Sequence, residues 1–209
     1  YTSGTTGNPK GVLYSHKSNI YHATSAYAAL TIDKDDCILM VVPMFHVLAW
    51  GIPYFGPMTG NKLVMPGMGM EGDSLYELID KEGVNSAFGV PTVWMQLLAY
   101  CRENNKVLDS VKNTIIGGSA LSLAMLKEFD EVHDVNVIHA WGMTEMSPLG
   151  TTNLPTKEME TMNKDEKYAI QLKQGRPVFG VELKITDDNG NDLPNDGEAY
   201  GHLMVRGPW

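Results

Sequence analysis

Cysteine is scarce in this 209-residue chain, and basic residues are outnumbered by acidic ones. Cys37 and Cys101 are its two cysteines, and two isolated thiols are too few for a disulfide framework or a cysteine-rich zinc site. We therefore expect two buried thiols. Sixteen Lys and Arg against twenty-five Asp and Glu give a net charge of −9, which argues against a nucleic-acid-binding surface. An anionic ligand would need a local Lys, a metal ion or backbone N–H groups to balance its charge.

Long apolar runs are missing as well. No stretch reaches the roughly 18 apolar residues of a membrane-spanning helix, and the first residues lack the basic-then-apolar pattern of a signal peptide. We therefore predict a cytoplasmic protein without a transmembrane segment. Hydrophobic residues make up 43% of the chain and charged residues 20%, which is ordinary for a globular protein with a sizeable core.

Short apolar runs alternate with longer helix-like segments, a pattern typical of α/β architecture. The predicted strands are CILMVVP, NKLVMP, SAFGVP, NTIIGG and VNVIHAWG, which begin at Cys37, Asn61, Ser86, Asn113 and Val135. The predicted helices are Asp73 to Lys81, Pro91 to Arg102, Ser122 to Val132 and Lys164 to Lys173. We therefore predict a mainly parallel sheet with flanking helices.

The pattern changes near Arg176, where β-like runs are separated by Asp-Asn-Gly and Asn-Asp-Gly turns. We predict an α/β part over residues 1–175 and the start of a β-rich antiparallel part over residues 176–209. Neither end has the character of a domain boundary. The chain is therefore expected to be a segment of a longer protein, without that protein's C-terminal domain.

Small or polar residues follow three of the predicted strands. The clusters are GVPT, GGSA and WGMTE, which begin at Gly89, Gly117 and Trp141. In open parallel sheets the ligand crevice lies at the carboxyl ends of the strands. We therefore expect these three clusters to meet in space.

The first ten residues combine glycines, hydroxyls and a lysine. Gly4 and Gly7 allow backbone N–H groups to surround an anion, and Lys10 adds a mobile positive charge. The NTPase P-loop is excluded, because Pro9 stands where its glycine would precede the lysine. By composition alone, a flexible Gly/Ser/Thr end is the alternative interpretation.

The string YTSGTTGNPKGV resembles the phosphate-loop signature of the adenylate-forming enzymes, which include acyl-CoA synthetases, firefly-type luciferases and peptide-synthetase adenylation domains. A chance match to its core is on the order of one in 10^10 per position. HAWGMTE, from His139, resembles the aromatic-G-x-T-E motif of the same family, and GGSA resembles its adenine-side loop. The three matches occur in the family's order.

The resemblance implies binding of ATP and Mg²⁺. It places Trp141 against adenine, Thr144 at the α-phosphate and Glu145 on Mg²⁺, although Tyr is commoner than Trp at the first of these positions. Nucleotide contacts are implied for Thr2, Ser3, Gly4, Thr5, Thr6, Gly7, Lys10, Gly117, Gly118, Ser119, Ala120, His139, Ala140, Trp141, Gly142, Met143 and Thr144.

The stretch from Val41 to Gly67 is similar to that of bacterial medium- and long-chain fatty-acyl-CoA synthetases. By this resemblance His46 lies near the acyl carboxylate, and Trp50 lies where some relatives place an aromatic gate. Further apolar candidates for the acyl pocket are Val90, Pro91, Trp94, Met143 and Met146. For these side chains a plain core role is the alternative.

The implied reaction is ATP-dependent conversion of a carboxylic acid, preferably a fatty acid, to acyl-AMP, followed by transfer to coenzyme A. Lys10, His46, Thr144 and Glu145 would be the catalytic residues. The alternatives are a ligase for a short sulfur-containing acid (methylthio- or dimethylsulfonio-propionate), an acyl-AMP ligase and a non-catalytic nucleotide-binding homologue. Acyl chain length and a homodimeric state stay open.

The resemblance also implies a ribose-binding Asp and a catalytic Lys beyond Trp209. We therefore expect the 209-residue segment alone to be inactive or nearly so.

Overall fold

A computed structural model describes residues 1–2 and 7–209 of the chain. Its strands are β1 Cys37–Met40, β2 Lys62–Val64, β3 Ser86–Gly89, β4 Asn113–Ile116, β5 Asn136–Gly142, β6 Leu149–Thr152, β7 Arg176–Pro177, β8 Glu182–Thr186 and β9 His202–Arg206. Its helices are α1 His16–Ala29, α2 Ile52–Thr59, α3 Gly72–Glu82, α4 Pro91–Asn104, α5 Leu123–His133 and α6 Lys164–Gln171. Short 3₁₀ turns span Thr144–Met146 and Lys157–Thr161, and Val47–Gly51 is a turn with left-handed backbone.

The larger sheet has seven strands in the order β2-β1-β3-β4-β5-β6-β7. Its first five strands are parallel to their neighbours, and β6 and β7 are antiparallel. Strands β8 and β9 form a separate antiparallel sheet. The predicted fold class is confirmed, but antiparallel pairing begins at Leu149 rather than near Arg176. The division into residues 1–175 and 176–209 stays a prediction.

The predicted helices match α3, α4, α5 and α6 to within two residues at every end. Ser122 caps α5, since its hydroxyl accepts the Met125 N–H. Helices α1 and α2 are absent from the sequence prediction. Helix α2 contains Pro53 and Pro57 and lies between Gly51 and Gly60, which are residues typical of turns. Helix α1 begins at a capping box between Ser15 and Ser18.

Hydrophobic cores lie on both faces of the larger sheet. On one face Leu39, Val137 and Trp94 are among the buried side chains beneath α3 to α6. On the other, Ile38 and Phe55 pack beneath α1 and α2. Neighbouring strand residues such as Ile38 and Leu39 therefore belong to opposite cores, as the two-residue period of a strand requires.

Cys37 and Cys101 are both buried free thiols, as predicted. Burial raises the pKa of Cys37, and it raises that of Cys101 to about 11. Both thiols therefore stay protonated near neutral pH. Within residues 1–2 and 7–209, none of the helices has the length and apolar character needed to cross a bilayer.

Candidate active site

A cavity of about 650 Å³ opens at the carboxyl ends of the parallel strands. Predicted site residues that line it are Thr2, Gly7, Lys10, His46, Trp50, Gly117, Gly118, Ala140, Trp141, Gly142, Met143, Thr144 and Glu145. Leu30, Phe88, Ile115, Pro148 and Leu149 add apolar lining that the sequence did not indicate. The three clusters predicted to converge contribute unequally. GGSA and WGMTE supply lining residues, whereas the residues of GVPT do not.

Two hydrogen bonds join the ends of the N-terminal segment from Thr2 to Lys10. The Thr2 N–H donates to the Lys10 carbonyl at 2.9 Å, and the Lys10 N–H donates to the Thr2 hydroxyl at 3.1 Å. Thr2, Gly7 and Lys10 all line the cavity. The predicted phosphate contacts Ser3, Gly4, Thr5 and Thr6 lie outside the described residues.

Gly117 and Gly118 follow β4 and leave little room for side chains. A Cβ at Gly117 would lie 3.1 Å from the Ala140 carbonyl oxygen and 3.4 Å from the Trp50 ring. Gly118 has a φ of +78°, and its Cβ would lie 3.1 Å from Val90. The missing side chains keep this wall open to a flat ligand. Ser119 and Ala120 are exposed and do not line the cavity.

The turn after β5 bears Thr144 and Glu145, the residues predicted to contact the α-phosphate and Mg²⁺. The Met143 N–H donates to the Pro148 carbonyl at 3.1 Å, which folds the segment back on itself. Thr144 is half-buried and Glu145 is exposed, and both line the cavity. An acidic side chain is thus presented to the same space as Lys10 and the two glycines.

Trp141 lies on β5 with its indole over the neighbouring strand. A Cβ at Gly150 of β6 would be 2.6 Å from the indole ring. The ring is half-buried and lines the cavity. Gly150 therefore provides the space for a large aromatic face at this edge of the site.

The segment from His46 to Gly51 has an unusual backbone. Val47, Leu48, Ala49 and Trp50 have φ values of 46°, 52°, 48° and 57°. Left-handed backbone costs an L-residue roughly 1–2 kcal/mol, and such strain is found preferentially at functional sites. This turn holds Trp50 and the exposed His46 at the cavity wall.

Several predicted residues lie elsewhere. Trp94 is 1% exposed in the core beneath α4, and Pro91 begins the same helix as a buried residue. Val90 precedes Pro91 and is half-buried. Its side chain lies next to Gly118, but Val90 does not line the cavity. Met146 is buried in the opposite core. The His139 ring is buried, and its Nδ1 lies 3.0 Å from the Leu172 carbonyl oxygen.

Two residues that sequence reasoning missed hold the turn from Thr144 to Leu149. The Tyr14 hydroxyl donates to the Thr144 carbonyl. The His22 Nε2 accepts the Leu149 N–H at 3.1 Å. Burial, and to a lesser extent the negative charge of Glu145, raises the pKa of Tyr14, so its phenol keeps the proton that it donates. Burial lowers the pKa of His22 to about 4, which keeps its ring neutral and able to accept.

The donor set suits a magnesium ion that is shared with phosphate oxygens. Mg²⁺ in proteins is commonly bound by one or two carboxylates together with substrate phosphates and water. Glu145 supplies one exposed carboxylate at the cavity. In the part of the chain that the structure describes, no group of three or more His, Cys, Asp and Glu side chains could hold a metal ion alone.

The sequence matches the family described as "AMP-binding enzyme" over residues 1–209. The chain belongs to the AMP-binding enzyme family. Two similar relatives of this family member are a "Medium-chain-fatty-acid--CoA ligase" of Ectopseudomonas oleovorans, 52% identical, and a "3-methylmercaptopropionyl-CoA ligase" of Ruegeria lacuscaerulensis, 50% identical. Both alignments cover 100% of this chain and 39% of the relative. The chain thus spans about two-fifths of the length of these relatives.

A solved structure of similar fold is the O-succinylbenzoate coenzyme A synthetase from Bacillus subtilis in complex with ATP and magnesium ion. It is 28% identical to this AMP-binding chain, with a TM-score of 0.81 over 100% of the chain and 40% of that structure. The predicted resemblance to adenylate-forming enzymes is therefore confirmed at the level of family and fold.

Proposed function

We propose that this chain carries the ATP-binding part of an AMP-forming acid–CoA ligase. The observation that carries the proposal is one cavity lined by Lys10, Gly117, Trp141, Thr144 and Glu145, which come from three separate parts of the chain. It unites a mobile cation, an open glycine wall, an aromatic face and a carboxylate. These are the groups that phosphates, a purine ring and a divalent cation require.

The first step would join the acid to AMP. A carboxylate oxygen attacks the α-phosphorus of ATP, the bond from that phosphorus to the bridging oxygen breaks, and pyrophosphate leaves. Attack of one anion on another needs alignment and charge neutralisation more than a general base. Lys10 would neutralise the outer phosphates, and the Thr144 hydroxyl would donate to the α-phosphate. Mg²⁺, held by Glu145, would supply further positive charge at the phosphates.

The second step would form the thioester. The sulfur of coenzyme A attacks the acyl carbonyl, the thiol proton is lost, and AMP leaves with the former carboxylate oxygen. AMP is a competent leaving group, whereas oxide is not, which is why the acid must be activated first. His46 lies exposed at the cavity wall and would orient the acyl carboxylate there.

We propose a fatty acid as the substrate. The support is apolar lining by Trp50, Phe88, Ile115 and the partly exposed Met143, together with the medium-chain fatty-acid ligase among the relatives. A short methylthio acid is the second candidate, because a relative of that specificity is nearly as similar, at 50% against 52% identity.

The assignment of Glu145 is tested with the substitution Glu145→Gln in the full-length gene product. Loss of the carboxylate removes a negative oxygen ligand for Mg²⁺ and leaves the volume of the side chain almost unchanged. We expect CoA-dependent AMP formation to fall on the order of 10²-fold. Added Mg²⁺ should recover part of the loss.

The matched control is Glu103→Gln, because Glu103 is exposed near the end of α4 and does not line the cavity. Its turnover should equal that of the unsubstituted protein. Unchanged turnover in Glu145→Gln would contradict the assignment of Glu145 as a ligand of Mg²⁺.

A further inference from the structure

Tyr14 connects two parts of the candidate site that are far apart in sequence. It lies four residues after Lys10 and directly before Ser15, which caps α1. Its hydroxyl donates to the carbonyl of Thr144, 130 positions along the chain. One end of this link is thus the segment that bears Lys10, and the other is the turn that bears Glu145.

A second contact, from helix α1, lies at the other end of the turn, at Leu149. His22 of α1 accepts the Leu149 N–H at 3.1 Å. Trp209 donates from its indole nitrogen to the Leu149 carbonyl at 3.0 Å, and its ring packs edge-on against the His22 ring at a centroid distance of 6.0 Å. The turn is therefore held at both ends by side chains from outside it.

Glu145 itself has little to fix it. Its side chain is exposed, and it has no hydrogen bond or ion pair to any other residue that the structure describes. Its position therefore depends on the backbone at Thr144. The hydrogen bond from Tyr14 restrains that backbone at the residue just before Glu145.

We propose that Tyr14 is a positioning residue, which fixes the Thr144–Glu145 turn relative to Lys10 and so sets the affinity for magnesium-bound ATP. This inference rests on the proposed function, since it gives Glu145 its role toward Mg²⁺. It assigns no chemical step to the phenol. The geometry predicts an effect on nucleotide and metal binding and none on binding of the acid.

The test is Tyr14→Phe in the full-length gene product, which removes one hydroxyl and keeps the ring. A hydrogen bond of this kind contributes roughly 0.5–1.5 kcal/mol, so the KM for Mg·ATP should rise about twofold to tenfold. The Mg²⁺ concentration for half-maximal activity should rise in parallel. The KM for the acid should stay close to that of the unsubstituted protein, and loss of the hydrogen bond should lower the thermal unfolding midpoint by no more than about 2–4 °C.

Tyr21→Phe is the matched control, because Tyr21 lies partly exposed on α1 and does not line the cavity. It should leave every parameter unchanged. Two results would overturn the inference: an unaltered KM for Mg·ATP and Mg²⁺ requirement in Tyr14→Phe, or an equal rise in the KM for the acid and the KM for Mg·ATP.

Calorimetric binding of Mg·ATP separates this inference from the proposed function. If the unsubstituted protein makes no AMP from any acid but binds Mg·ATP, only the proposed function fails, and the affinities of the two variants still test Tyr14. Equal affinity of Tyr14→Phe and the unsubstituted protein would again overturn its role. Absence of Mg·ATP binding by the unsubstituted protein would overturn both.

Discussion

His22 is 1% exposed, and its Nε2 accepts the Leu149 N–H. The accepting nitrogen must be unprotonated, so the ring proton lies on Nδ1. A Cβ at Gly51 would lie 2.7 Å from the ring, which shows how closely the imidazole is enclosed. Burial lowers its pKa from 6.5 to about 4. The folded state therefore favours the neutral ring.

This pKa difference makes stability depend on pH. Between about pH 6.5 and pH 4 the unfolded chain binds the proton that folded His22 excludes, so the free energy of unfolding falls as the pH falls. The loss is on the order of 3 kcal/mol once the pH reaches the folded-state pKa. Urea unfolding of the full-length gene product at several pH values measures it.

His22→Gln keeps an acceptor oxygen and removes the titration. Its free energy of unfolding should decline less steeply between pH 6.5 and pH 4 than that of the unsubstituted protein. His16→Gln, at an exposed position, should leave the slope unchanged. Identical slopes in all three proteins would contradict the account of His22.

Individual residues differed in how well the sequence revealed them. Lys10, Trp141 and Glu145 stand inside short motifs, so a linear pattern was enough to single them out as site candidates. Tyr14 and His22 act through contacts that span 130 and 127 positions. No local pattern predicts such contacts, since they arise from the packing of α1 and the residues just before it against β6 and the turn that precedes β6.

At the scale of secondary-structure elements, the last residue of β5, Gly142, lies directly against Pro148 at the end of the turn that follows. This close contact depends on glycine. A Cβ at Gly142 would collide with the Pro148 carbonyl group. Because backbone is the obstacle, the methyl cannot be accommodated by a rotamer change. The close return of the chain at this point requires glycine.

Gly142→Ala should therefore destabilise the protein by about 1–3 kcal/mol and displace Thr144 and Glu145 from the cavity wall. Thermal unfolding and the KM for Mg·ATP of the full-length gene product measure the two effects. Gly207→Ala is the control, since its Cβ would meet no atom closer than 3.5 Å. A Gly142→Ala variant with the stability and KM of that control would contradict the predicted collision.

Most of the elements that the sequence predicted bury large apolar side chains, although the polar helix α6 was also predicted and α2, which buries Ile52 and Phe55, was missed. Strands β1 to β5 are apolar runs between turn signals, and α3 to α5 bury large residues such as Leu75 and Phe129. Helix α1 instead buries small side chains such as Ala23 and Ala26, and β6 is LGTT. Neither has an apolar pattern strong enough to stand out in the sequence, because α1 buries small or polar residues and Gly150 of β6 leaves its space to the Trp141 indole.

At the scale of the whole molecule, the fold class followed from the alternation of strand and helix patterns. The antiparallel edge of the larger sheet could not be predicted from that alternation. Strands β6 and β7 turn antiparallel beside β5 and carry the Gly150 surface on which Trp141 lies. The position of the cavity could be predicted because ligands bind at the carboxyl ends of parallel strands. Its motif residues were predicted as well, but apolar lining such as Leu30, Phe88 and Ile115 comes from tertiary contacts that no local pattern indicates.

The most direct test of the central proposal is AMP formation by the full-length gene product with ATP, Mg²⁺ and coenzyme A. The acids to compare are a series from acetate to palmitate, with 3-methylthiopropionate beside them. We predict AMP release that requires both an acid and coenzyme A and is highest with a fatty acid of the series. No AMP from any acid would contradict the ligase, and an equal rate with every acid would contradict a fatty-acid substrate.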